Sequence, residues 1–65
     1  MNTIIIDNYK VVINLINKCY KFIISINDMI VDVLLFGKNE FNSLFEAEEY
    51  AKEYVQYNFE FTFED

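Results

Sequence analysis

Chemistry in this chain has to be sought among carboxylates and phenols, because little else is on offer. The 65 residues contain no His, Arg, Pro or Trp, and one Gly and one Cys. Without His the usual general base and the commonest metal ligand are missing, and Cys19 alone makes neither an intrachain disulfide nor a CxxC site. What does recur at regular spacing is acid. Glu46, Glu49 and Glu53 fall at i, i+3 and i+7, and Tyr50, Tyr54 and Tyr57 at i, i+4 and i+7 of the same stretch. On a helix each set becomes a stripe, and the two stripes lie side by side. Glu60 and Glu64 carry the acidic series on towards the end of the chain.

Two readings of these stripes stand open. The carboxylates are either a solvated helix face or a surface that imitates a phosphate backbone, since helical rise separates them by distances comparable to phosphates along DNA. The tyrosines either pack the helix edge onto the rest of the fold or anchor a protein partner, as amphipathic rings do in interfaces. Charge asymmetry favours the second reading of the carboxylates, while packing remains the leading reading of the tyrosines. Residues 1–39 carry three acidic and four basic side chains, net +1, whereas residues 40–65 carry eight acidic and one basic, net −7. The overall charge of −6 disfavours direct binding to nucleic acid, whose phosphates it would repel.

Other chemistry is not expected. Asp28 and Asp32 sit in and beside a strand, whereas a hard cation needs several oxygen ligands converging from a loop. Cys19 has only Lys18 and Lys21 near it in sequence to activate a thiolate, and no Gly-rich loop exists to hold phosphate. The expectation is a protein with no catalytic residues, metal site or cofactor.

The elements that must position the stripes follow from turn residues and periodicity. Asp7-Asn8, Asn17-Lys18, Asn27-Asp28 and Lys38-Asn39 recur about every ten residues, and Asn and Asp tolerate the left-handed conformations of tight turns. Between them lie β-branched and aromatic runs, Thr3–Ile6, Tyr9–Ile16, Cys19–Ile26 and Met29–Phe36, the layout of an antiparallel meander. A helix over Asn8 to Cys19 competes for one segment, but consecutive Val11, Val12 and Ile13 lose rotamer freedom in helices. Alternation predicts a core face of Tyr9, Val11, Ile13, Leu15, Tyr20, Phe22, Ile24, Ile26, Met29, Val31, Val33 and Leu35. The opposite face, with Val12, Ile16, Ile23, Ile30, Leu34 and Phe36, is too apolar for a solvated surface and predicts self-association as a homodimer.

After Gly37 the period changes from 2 to 3.6. Ser43 followed by Glu46 forms a capping box with Phe41 as its hydrophobic staple. The helix is expected from Leu44 to about Tyr57, with Leu44, Ala47, Ala51, Tyr54 and Val55 facing the sheet and Glu48–Lys52 as an i,i+4 pair. Asn58 is its expected stop. Phe59, Phe61 and Phe63 then alternate with Glu60, Thr62 and Glu64 as a half-buried strand with the acids outward. The whole reads as one α+β domain over residues 1–65, in the order β-β-β-β-α-β, a small antiparallel sheet against one helix.

No basic n-region opens the chain, and no uncharged run approaches the ~20 residues of a membrane span. A free thiol suits a reducing cytoplasm, and no membrane partner is expected. The Ile, Lys, Asn, Phe and Tyr bias is that of an AT-rich genome. In size, composition, acidity, predicted architecture and lack of catalytic residues, the chain resembles the small anti-CRISPR proteins that bacteriophages deploy against host defences. That resemblance implies stoichiometric binding to a protein target, a CRISPR effector or another nucleic-acid-binding enzyme, in a bacterial cytoplasm. The partner-binding residues expected from the stripes are Glu46, Glu49, Glu53, Tyr50, Tyr54, Tyr57, Glu60 and Glu64. The alternative is a homodimeric structural or antitoxin-like interaction module.

Overall fold

Three two-residue turns fold the first half of the chain back on itself. In the computed structural model, which describes residues 2–60, strands β1 (Asn2–Ile6), β2 (Tyr9–Ile16), β3 (Cys19–Ile26) and β4 (Met29–Gly37) form one antiparallel sheet in sequence order. Asn17 and Lys18 have φ of 50° and 64°, and Asn27 and Asp28 have 52° and 63°. Positive φ at both central positions is the turn whose twist matches a right-handed hairpin. Asp7, at φ 54°, opens the remaining turn. The segment for which a helix competed is therefore strand β2.

A short 3₁₀ turn, Lys38–Glu40, leads to helix α1, Leu44–Val55. The Ser43 hydroxyl accepts the Glu46 N–H at 3.2 Å, as an N-cap should. Glu46 reaches back one residue further than the standard box, accepting the Asn42 backbone N–H at 3.1 Å and its side-chain amide at 3.3 Å. Ala47, Ala51 and Val55, at i, i+4 and i+8, are fully buried. Their small side chains bring α1 close onto the sheet, where it lies over β1 and β2. Leu44, expected in this contact, is instead 39% exposed. Phe41 fills that end of the layer, packed among Tyr20, Phe22, Phe36 and Tyr50 with ring centroids 5.4 to 5.9 Å apart.

The expected core face holds for β2 and β3, where Val11, Ile13, Tyr20, Phe22 and Ile24 are buried and Leu15 alone is largely exposed. It fails along β4. Ser25 pairs with Ile30 but Ile24 pairs with Asp32, so Val31 is an extra residue with no partner across β3. A bulge of this kind moves every later side chain to the other face. Leu34 and Phe36 consequently pack on the core, while Met29, Val31, Val33 and Leu35 are exposed. The inverted register places the Phe36 ring against Phe22 and Tyr50, at 5.5 and 5.2 Å, where Leu35 would otherwise stand. Edge-to-face aromatic pairs contribute about 0.5–1.5 kcal/mol beyond area burial. Asp32 also gains a partner, described below.

The helix does not stop at Asn58. Gln56–Glu60 continue as one wide π-helical turn, within which the Asn58 side-chain amide donates to the Tyr54 carbonyl at 2.9 Å. Phe59 is thus helical and not the start of a strand. Its ring turns onto Tyr9 and Tyr54, at 5.4 and 6.2 Å, adding apolar contact at the edge of the core. Phe61, Phe63 and the rest of the expected last strand lie outside the described residues. No helix among the described residues is long and apolar enough to cross a membrane.

Candidate partner-binding face

Helix α1 turns three kinds of side chain in three directions. Its alanines and Val55 face the sheet, Glu46, Glu49 and Glu53 lie on the far side, and Tyr50 and Tyr54 lean to one flank over β4. Glu46 and Glu53 are exposed and Glu49 is partly so. Helical rise separates Glu46 from Glu49 by about 4.5 Å along the axis and Glu49 from Glu53 by about 6 Å.

The local bonding of these acids differs from one to the next. Glu46 is tied to Asn42 as a helix cap. Glu49 forms an ion pair with Lys52 at 3.4 Å, with both side chains about half exposed. Lys52 therefore pairs at i,i+3 and not with Glu48, as expected from spacing. Glu48 instead accepts a hydrogen bond from the Asn2 side-chain amide at 2.9 Å, fastening the helix to β1. Glu53 makes no hydrogen bond or ion pair among the described residues. It is the acid most available to a partner.

The tyrosines divide in the same way. Tyr50 belongs to the aromatic cluster with Phe22, Phe36 and Phe41. Tyr54 donates its hydroxyl proton to Asp32 at 2.6 Å, while the other Asp32 oxygen accepts the Val33 backbone N–H at 2.9 Å. This hydrogen bond to a carboxylate, with desolvation and the Asp32 charge adding to it, pushes the Tyr54 phenol up to about 12. The group stays protonated at neutral pH, so it acts as a fixed donor and a poor nucleophile or base. Tyr57 is the exposed ring, at 74%.

Two of the three tyrosines thus brace the helix against β4, as the packing reading has it, and the third stands at the surface. Tyr50, Tyr54 and Tyr57 together with Glu53, Gln56 and Asn58 line an open groove at the C-terminal end of α1. Aromatic faces beside a carboxylate with no partner among the described residues suit a cationic side chain, which gains from both. The side chain of Glu60 and all of Glu64 lie outside what the structure describes. No group of three or more metal-ligating side chains occurs among the described residues.

Asp32 is the member of this region that spacing does not announce. Its partner is 22 residues away, and only the bulge brings it to the helix side of the sheet. Comparison with protein-family models, curated proteins and solved structures finds no match to this chain, so the outward face of α1 has to be interpreted from its own geometry.

Proposed function

We propose that the protein is a non-enzymatic inhibitor that binds a nucleic-acid-handling protein, of which a CRISPR effector complex is the leading case, through the acidic outer face of α1. The observation that carries this reading is the line of Glu46, Glu49 and Glu53 on the helix side away from the sheet, flanked by the Tyr57 end of the groove. A basic channel built for phosphates offers complementary charge to such a line, and the groove offers an arginine or lysine on its rim a ring face and the Glu53 carboxylate.

The test separates contact from folding. Glu46 caps the helix, so it is left alone, and Glu49→Lys/Glu53→Lys reverses charge at two positions whose side chains reach solvent. Purified effector complexes are screened for loss of target-DNA binding on addition of the protein. The wild type should inhibit, should be displaced by excess target DNA, and should weaken as salt rises. The double variant should keep its circular dichroism spectrum and lose inhibition. Binding that ignores salt and DNA and survives the double reversal would reject the acidic face as the contact.

A further inference from the structure

The helix covers one side of the sheet, and nothing among the described residues covers the other. Cross-strand pairing places Ile5, Val12, Ile23, Ile30, Val33 and Leu35 on that open side, with Val12, Ile23 and Val33 in one continuous row and Thr3, Lys10, Asn14, Lys21 and Ser25 interspersed. Ile5 is 66% exposed and Leu35 68%. An apolar face of this extent on an ordered sheet marks an interface. We propose that it is covered by a second copy of this chain, packed face to face about a two-fold axis that runs across the strands. This goes beyond the inhibitory reading and does not depend on it.

Size is the first argument for a second copy. Four strands about 4.8 Å apart and about eight residues long make a face of roughly 20 by 25 Å, on the order of 500 Å² in projection and more as accessible surface. Stable dimers bury about 800 Å² per partner, so the face with its flanking turns is of the required size and a fraction of it is not.

Charge supplies the second argument and selects the geometry. Each chain carries −6, concentrated in residues 40–65, so two copies meeting through their helices would oppose acid to acid. Packed through their sheets, about 10 Å apart, they hold the two helix layers about 30 Å from each other, several Debye lengths at physiological salt. No carboxylate stands in the rows of the open face. Its lysines, Lys10 and Lys21, have long aliphatic stems that can lie over apolar neighbours while the ammonium groups reach the rim.

The ends of the sheet fix the direction. Asp7 and Asp28 sit in the turns at one end. Lys18 and Lys38 sit at the other, where the Lys38 N–H donates to the Lys18 carbonyl at 2.9 Å. All four are exposed. A two-fold axis running across the strands lays each strand antiparallel over its copy, so Lys38, which follows β4, comes over Asp28 of the second copy, which precedes it. An axis along the strands would instead set like ends together.

Sedimentation equilibrium at rising micromolar concentration tests this. The wild type should reach twice the 7.8 kDa of the chain. Leu35→Glu should stay monomeric with an unchanged circular dichroism spectrum, because that side chain is already exposed in the single chain. Phe45→Glu, an equally exposed apolar position on α1, should still dimerise. Lys38→Glu should weaken the dimer by about tenfold or more, since juxtaposed like charges are costly. Adding Asp28→Lys to it should restore the affinity. That second change suits the backbone, as Lys18 occupies the matching turn position at φ 64° against 63° for Asp28. A monomeric wild type, or a Leu35→Glu variant that still dimerises, would overturn the proposal. Failure of the charge swap to restore affinity would overturn the two-fold arrangement.

Discussion

Both faces of this sheet carry Ile, Val and Leu, but the aromatic rings lie on one and the lysines on the other, and the two live in different surroundings. On the helix side, Val11, Ile13, Phe22 and Ile24 are buried beneath Ala47, Ala51 and Val55. On the other side, Ile5, Ile30, Val33 and Leu35 stand largely in solvent although they alternate with those core residues or pair beside them. Hydrophobicity alone does not decide which face becomes core. What decides it is where a small-residue helix can seat, and the helix seats where β2 and β3 present one uninterrupted apolar row and Phe41 and Tyr50 can close over Phe22. The uncovered face is left apolar beyond anything the single chain needs, and that excess is the reason to give it a second role.

The contrast is broken most severely at Phe22. This ring is fully buried and touches Phe36, Phe41 and Tyr50. Phe22→Ala should cost about 3–5 kcal/mol, and in a domain this small it should abolish cooperative thermal unfolding near room temperature. Next in size is the helix seat. Ala51→Leu inserts volume between α1 and the sheet and should cost about 1–3 kcal/mol by overpacking, seen as a lower urea midpoint.

Smaller effects sharpen the account of how the helix is held. Ser43→Ala removes the cap on Glu46 and should cost about 1 kcal/mol, a drop of several degrees in Tm for a domain of this size. Tyr54→Phe deletes the donor to Asp32 and should also cost about 1 kcal/mol. Its distinguishing mark is pH. The fold holds the neutral phenol, so the wild-type contribution is complete below pH 10.0, the ordinary tyrosine value. It is lost as pH rises from there through about 12. The gap between wild type and Tyr54→Phe in chemical denaturation should therefore close over that window. The smallest change belongs to the open face. Leu35→Ser, measured at concentrations where the chain is monomeric, should shift stability by no more than about 0.5 kcal/mol.

Much of this architecture is legible in the amino-acid order. Asn and Asp at ten-residue intervals mark the hairpins, and Ser43 with Glu46 marks the start of α1 to the residue. The bulge is not legible, and the reason is local. Along Met29–Gly37 both alternations are apolar except at Asp32, so periodicity cannot say which set faces inward. The choice is made by partners distant in sequence, Phe22 and Tyr50 for Phe36 and Tyr54 for Asp32. The continuation through Asn58 is hidden for a related reason. Asn ends helices by adopting the left-handed conformation, whereas Asn58 stays within the π-helical turn and its side-chain amide donates to the Tyr54 carbonyl. Within the acidic face, spacing gives the stripe of Glu46, Glu49 and Glu53. It does not give the division of labour, in which Glu46 caps, Glu49 pairs with Lys52 and Glu53 has no partner among the described residues.

In the proposed dimer the open face joins copies of the chain while the helix face stays outward for a target. Methyl-resolved NMR over a dilution series tests it most directly, because Ile, Leu, Val and Ala report on both faces at once. The expected result is concentration-dependent shifts at Ile5, Ile23, Val33 and Leu35, with Ala47, Ala51 and Val55 unmoved at the highest concentration. Shifts confined to α1, or a spectrum that does not change with concentration, would contradict it.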